Sequence, residues 1–199
     1  MSESKKIVAI VATYRKGRII DQAVDAILES AQEKGAEVEK IYLTDKDIKF
    51  CTNCRHCTQE AEKSRGECVL SDEMNSILDK IESSNALVLA SPVNFGSSTA
   101  IYKRFMERLL PYTYWPWGTM IPKIRVKKRG LKVVVVTASA APGIFTRLLT
   151  HIGRQFKDTA NVLGGKIVGS LFIGIAAMEE RGNLRDRDRQ KAIQIGINL

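Results

Sequence analysis

The six residues 7–12, Ile-Val-Ala-Ile-Val-Ala, are apolar without exception and lie between Lys6 and Thr13. Such a run is too short for a buried helix, and its lack of alternation predicts a strand covered on both faces, as in a parallel sheet with helices above and below. The next residues, Thr13-Tyr14-Arg15-Lys16-Gly17-Arg18, join a hydroxyl to three cations, after which Ile20, Val24, Ile27, Leu28 and Ala31 recur at helical spacing. A basic turn therefore falls between the end of a strand and the start of a helix. Orphan amides and the helix dipole make that junction a phosphate site.

The kind of phosphate is narrowed by what the turn lacks. A dinucleotide turn requires G-x-G-x-x-G, and only Gly17 is present; the triphosphate loop G-x-x-x-x-G-K-[ST] occurs nowhere in the chain. A mononucleotide remains, against the plainer alternative that Arg15, Lys16 and Arg18 form a solvated basic turn.

A length of 199 residues fits a single domain over 1–199, with a cysteine-rich loop at about 45–69 and a helical tail at about 183–199. No apolar segment approaches signal-peptide or membrane-spanning length, so the expectation is a soluble, cytoplasmic protein. Thirty-one Lys and Arg against 22 Asp and Glu give a net charge of +9. The cations are spread out, and the denser patches at 123–132 and 181–191 include the alternating Asp186 and Asp188 of a solvated face. Neither nucleic acid nor membrane is expected as a partner. The charge suits steering of a phosphorylated cofactor or an acidic electron-transfer protein.

Residues 37–43 read as a second strand nearer an edge, and Met74, Ile77, Leu78 and Ile81 as one face of a helix begun by Ser71. A third buried strand, 86–90, opens into Ser91-Pro92-Val93-Asn94-Phe95-Gly96-Ser97, followed by a helix at 99–110. An aromatic stretch at 111–118 and a basic connector lead to a strand at 131–136, a turn at 137–143, a helix at 144–160 and a fifth strand at 166–173. Strands alternating with helices predict an α/β, doubly wound, five-stranded parallel sheet. With strand order 2-1-3-4-5, the exits of strands one and three flank the switch point where ligands bind. The two turns then meet in one crevice, and the 137–143 turn closes it from the far side.

Cys51, Cys54, Cys57 and Cys68 form C-x2-C-x2-C-x10-C within a stretch that has no periodicity. Four thiolates from one loop suit a [4Fe–4S] cluster or a zinc ion, and spacing does not decide between them or against free thiols. A structureless connection of this length needs something to order it. His56 and His151 receive no role.

The turn after the first strand, the cysteine-rich loop before the second helix and Ser91-Pro-Val-Asn-Phe-Gly96 after the third strand resemble the iron–sulfur flavoprotein branch of the flavodoxin-like NAD(P)H-dependent FMN reductases. The resemblance runs from Lys6 to about Phe172. It implies a flavodoxin-like fold, bound FMN, a homodimer or homotetramer with interfaces bordering the flavin, and in some members a cluster exchanging electrons with it. By this resemblance Thr13, Arg15, Lys16, Gly17 and Arg18 contact the FMN phosphate. Pro92, Val93, Asn94, Phe95 and Gly96 line the ribityl chain and ring, Ser139 approaches the ring's polar edge, and Cys51, Cys54, Cys57 and Cys68 ligate the cluster. Ile19 and Ile20 depart from the family's small polar pair inside the first helix, and the ten-residue gap before Cys68 is longer than usual.

The expected function is an oxidoreductase passing electrons from NAD(P)H or another low-potential donor through FMN to a small-molecule or protein acceptor. The alternatives are a non-enzymatic flavodoxin-like electron carrier and a zinc-binding interaction module. Residues 112–117 either stack on flavin or nicotinamide or pack beneath a connector.

Overall fold

A computed structural model describes residues 4–61, 63–126, 129–178 and 182–199. Lys127, Lys128 and Arg181, from the two basic patches, lie outside the described residues.

The chain runs β1 (Lys6–Val11), α1 (Ile19–Glu33), β2 (Glu37–Tyr42), α2 (Met74–Glu82), β3 (Ala86–Ala90), α3 (Ala100–Glu107), β4 (Thr113–Tyr114), β5 (Lys123–Ile124), β6 (Leu131–Ala138), α4 (Gly143–Leu149), α5 (Ile152–Val162), β7 (Gly165–Ile173) and α6 (Asp186–Ile197). The principal sheet has the order β2-β1-β3-β6-β7 with every pair parallel. This is the flavodoxin-like topology that the strand pattern predicted. The register places Val11 beside both Tyr42 and Ala90, so the strands end level with one another.

Alternation of side chains divides the core into two layers. Val8, Ile10, Leu87, Leu89, Val133 and Val135 pack with α2, α3 and α5, while Ile7, Ala9, Val11, Val88, Val134 and Val136 pack with α1 and α6. Covering on both faces explains why these strands read as unbroken apolar runs. Edge strand β2 is only partly buried, as its mixed sequence indicated.

Three local expectations need correction. Asp72, not Ser71, supplies the oxygen at the start of α2, accepting the Met74 amide at 3.0 Å. The helix expected at 144–160 is two helices. Thr150 is extended (φ −116°, ψ 157°), and its hydroxyl donates back to the Thr146 carbonyl at 2.6 Å. The His151 amide leaves the helical pattern to reach the Gly96 carbonyl at 2.8 Å. The connector after the aromatic stretch contains the antiparallel hairpin β4–β5, too short to show a period.

Candidate active site

A cavity of about 380 Å³ lies where β1, β3 and β6 end. It is lined by Thr13, Tyr14, Arg15, Arg18, Ile19 and Ile20 from the first turn and helix, by Pro92, Val93 and Asn94, by Ala138, Ser139 and Ala140, and by Ala176, Ala177 and Gly182. The two independent turns therefore do converge. Backbone bonds fix their rims: Ala12 N donates to Ala90 O at 2.8 Å, Val93 N to Ala138 O at 2.9 Å, and Ala176 N to Ser139 O at 2.9 Å. The buried Thr99 hydroxyl donates to Ala12 O at 2.9 Å, pinning the start of α3 to the end of β1.

In the first turn, buried Thr13 accepts the Arg15 amide at 3.2 Å on Oγ1, which folds the loop back on itself. Arg15 and Arg18 line the cavity, whereas Lys16 turns outward to Asp45 at 2.6 Å and over the Tyr42 ring. The Gly17 amide is held by Asp21 at 2.5 Å. Asp21 is buried, which works to raise its pKa. The Gly17 amide, the Tyr42 hydroxyl and the Lys40 ammonium outweigh burial and hold the carboxyl below its usual range. Lys40 shows the opposite balance: burial lowers its pKa, and bonds with Asp25, Tyr42 and Asp21 raise it further. The negative charge under the helix start is thus neutralised from behind.

The second turn is a tight reversal in which Asn94 and Ser97 exchange bonds of 2.8 and 3.0 Å. Phe95 and Gly96 both have positive φ, 49° and 72°, the pattern of a type I′ turn. A phenylalanine there is strained and fully exposed at the turn's tip. In the third loop the Ser139 hydroxyl donates to Ala141 O at 2.8 Å and meets Thr146 Oγ1, so it is engaged in holding its own loop.

Of the residues expected to contact the ligand, Thr13, Arg15, Arg18, Pro92, Val93, Asn94 and Ser139 line the cavity. Lys16, Gly17, Phe95 and Gly96 stand on its rim turns but not in its lining. Ala138 and Ala140 belong to the 137–143 turn expected to close the pocket, whereas sequence reasoning gave no role to Tyr14, Ala176, Ala177 or Gly182. Small residues beside strand ends carry no chemical signal, although Tyr14 sat inside the motif; its hydroxyl accepts the Ile101 amide at 3.3 Å. Among the described residues, none of 112–117 lines this cavity. Tyr112 is buried with its hydroxyl on Glu82 at 2.7 Å, and Trp115 and Trp117 face the cysteine loop.

The described residues of that loop are held by hydrogen bonds to their surroundings. Cys57 is buried, Cys51 and Cys68 are partly covered, Cys54 is exposed, and all four are free thiols. Asn53 and Arg55 take left-handed conformations that bend the chain between ligand positions. Burial first, and then the neighbouring Cys68, Cys51 and Cys54, push the Cys57 thiol up to about 11. The amide of His56 and the Thr52 hydroxyl hold Cys54 below the usual thiol value. Arg108, which is buried and paired with Asp72, brings Nη2 to 3.6 Å from the Cys68 Sγ. Ten residues separate Cys57 from Cys68, but the chain returns to Cys57 at Gly66, whose amide is fixed to Pro111 O at 2.8 Å. Among the described residues, no three His, Cys, Asp or Glu side chains converge on one point as ligands of a single ion.

Among the described residues, no helix is long and apolar enough to cross a membrane. Residues 5–122 match the family described as NADPH-dependent FMN reductase. The chain is 32% identical over 194 residues to an iron–sulfur flavoprotein of Archaeoglobus fulgidus, covering 98% of this chain and 78% of that one. It is 28% identical over 103 residues to an iron–sulfur flavoprotein of Methanosarcina thermophila, a match spanning 52% of this chain and 51% of the relative. An FMN-dependent NADH-azoreductase of Bacillus anthracis, solved in complex with FMN, shares the fold with a TM-score of 0.68 at 16% identity, over 98% of this chain and 97% of that one. With the family match covering more than half its length and the Archaeoglobus likeness nearly all of it, the chain belongs to the NADPH-dependent FMN reductase family, on its iron–sulfur flavoprotein side, and is an FMN-dependent oxidoreductase.

Proposed function

We propose that this protein takes electrons from NAD(P)H or another low-potential donor onto FMN held at the β1/β3 exits, and delivers them to an acceptor through a [4Fe–4S] cluster on the cysteine loop. The observation that carries the reading is the cavity, whose volume of about 380 Å³ lies within the usual range for small ligands. Its ends differ as a flavin mononucleotide requires. Arg15, Arg18 and the first-turn amides of α1 face a phosphate, and Pro92, Val93, Ala138, Ala140 and Ala176 offer an apolar slot to a ring.

Bound there, FMN supplies the electron-transfer chemistry itself. The chain's part is to bind and orient. Thr13 and Asp21 shape the phosphate turn, Asn94 and the exchanged bonds with Ser97 fix the second rim, and the Ser139 loop excludes water from the third side. Ile19 and Ile20 stand in the cavity wall, so phosphate affinity rests on cations and backbone rather than on hydroxyls.

Cys51, Cys54, Cys57 and Cys68 would hold the cluster. The donor set fits: four soft thiols lie on one loop, with Cys68, Cys51 and Cys54 near enough to Cys57 to help push its thiol up. The relatives named iron–sulfur flavoproteins favour a cluster over zinc at these four thiols. Around the flavin cavity, Phe95 and the α4 side chains Ile144, Phe145, Leu148 and Leu149 are exposed, favouring an oligomer whose interface borders the flavin.

The test is a titration of apoprotein with FMN, repeated with Arg15→Ala, followed by anaerobic iron and zinc analysis and by NAD(P)H oxidation with a quinone acceptor. Saturable FMN binding weakened by the substitution, bound iron, and turnover above that of free FMN support the reading. Unaltered affinity removes the phosphate site, zinc without iron removes the cluster, and reduction only by a partner protein makes the chain a carrier.

A further inference from the structure

The cysteine loop is held by a hairpin that the proposed electron path does not use. Arg125, immediately after β5, runs its guanidinium into the 57–68 loop. Nη1 donates to Glu60 O at 2.5 Å, Lys63 O at 3.1 Å and Ala61 O at 3.4 Å, and Nη2 donates to Cys57 O at 3.3 Å. Its Nε returns to Thr113 O at 3.1 Å, so one side chain ties the hairpin to four carbonyls of the loop. A guanidinium is the only side chain with a planar array of donors wide enough for that.

The other half of the loop is gripped in the reverse sense. Arg55, between Cys54 and Cys57, lies against Trp115 and Trp117, with its guanidinium carbon 3.8 and 4.2 Å from the two ring centres. It also donates to the carbonyls of Trp115 at 2.5 Å and Pro116 at 3.1 Å. Thr58, fully buried, receives the chain again: its carbonyl accepts the Trp115 amide at 2.9 Å, and its hydroxyl bonds Arg55 O at 2.8 Å and Trp115 O at 3.1 Å. Every residue between the third and fourth cysteines would otherwise be free to lengthen the closure that ligation must achieve, and closure entropy rises with the number of free residues.

We infer that Arg125 is a positioning residue for the cysteine loop, pre-setting Cys57 and Cys68 as neighbours so that cluster assembly starts from a nearly closed ligand set. The Arg55–tryptophan sandwich does the same for Cys54. The inference rests on the cluster reading above for its purpose, but the pre-setting is a property of the apoprotein and is measurable there.

The experiment compares apoprotein with Arg125→Ala and Arg125→Lys by timed iodoacetamide labelling of each cysteine, resolved by peptide mass spectrometry, alongside FMN affinity and iron uptake on anaerobic reconstitution with iron and sulfide. Loss of several loop bonds is expected to speed Cys57 labelling about tenfold. Cys54, already exposed, and FMN affinity should not change, iron uptake should fall, and Lys should restore part of the protection. Equal Cys57 rates in wild type and Arg125→Ala overturn the inference, with the cluster reading standing if both take up iron. A wild type that takes up no iron, while Arg125→Ala still unmasks Cys57, overturns the cluster reading and leaves the positioning role in place. Should Arg125→Ala lose FMN binding, Arg125→Gln makes the same comparison at Cys57, and unchanged labelling there sinks the idea.

Discussion

A Cβ atom on Gly66 would lie 1.8 Å from the carbonyl oxygen of Cys57, so the chain passes against its own third cysteine at the one place where it carries no side chain. That contact brings Cys68, two residues on, back to the loop it left. Gly66→Ala must push backbone away from backbone, at a cost of about 1–3 kcal/mol. The expected result is faster alkylation of Cys57 and lower iron uptake, with the urea midpoint of the sheet little changed because the strain can be relieved by opening the loop alone.

Arg108 and Asp72 form an ion pair with both side chains almost wholly buried. The carboxylate also accepts the Lys49 amide at 2.8 Å, and the guanidinium donates to Lys49 O at 2.9 Å. Asp72→Asn leaves the buried cation unpaired and should cost about 3–5 kcal/mol in urea denaturation. Replacing both partners together should cost less than the sum.

Acid sensitivity follows from the same pair. Burial works to raise the pKa of Asp72, but bonds from Arg108 and from the Lys49 and Met74 amides prevail and lower it; Asp21 behaves likewise. Both groups bind protons less readily in the folded chain than in the unfolded one. Their stabilisation is complete above the unfolded carboxylate pKa of about 4 and is lost as pH falls through the lower folded values. Urea midpoints between pH 7 and 3 should fall only at the acid end, more steeply for wild type than for Asp72→Asn.

Phe95 holds a left-handed conformation with its ring fully in solvent. Relief of that strain by Phe95→Gly should stabilise the apoprotein by about 1 kcal/mol. The same change removes an aromatic surface from the mouth of the cavity and should weaken FMN binding. A stability gain with unchanged affinity would separate Phe95 from the ligand.

Gln22 reaches back to Gly17 O at 3.0 Å and across to residues 183 and 184, accepting the Leu184 amide at 2.8 Å and bonding Asn183 Oδ1 at 3.2 Å. Gln22→Ala should cost about 1–2 kcal/mol from the lost bonds. FMN affinity should drop more than stability alone explains, because Gly182 is part of the cavity wall. Fluorescence titration and urea melts on one sample separate the two effects.

The sheet was readable because double covering leaves a simple trace: 7–12 and 86–90 are apolar throughout, and the helices between them keep one face. The meeting of the first and second turns followed from strand order alone. What sequence could not supply was the direction of side chains in those turns, where Lys16 and Arg18 look alike until Asp45 claims one of them. The wall formed by Ala176, Ala177 and Gly182 was invisible for the reason that small residues make good walls: they contribute shape and no functional group. The ordering of the cysteine loop was hidden because its cause lies in a distant two-residue strand and in main-chain carbonyls, which every sequence has. The break at Thr150 and His151 depended on a carbonyl at Gly96, more than fifty residues away.

The pairing of Gln22 with Leu184 sets a timetable for the nascent chain. The first three strands and both turns that meet at the cavity leave the ribosome early, but the wall residues Ala176, Ala177 and Gly182 and their tether emerge well after them. Capture of the yellow cofactor therefore waits for these late residues, and a translation product cut short after the fifth strand of the sheet, which also lacks the α6 part of one core layer, should remain colourless.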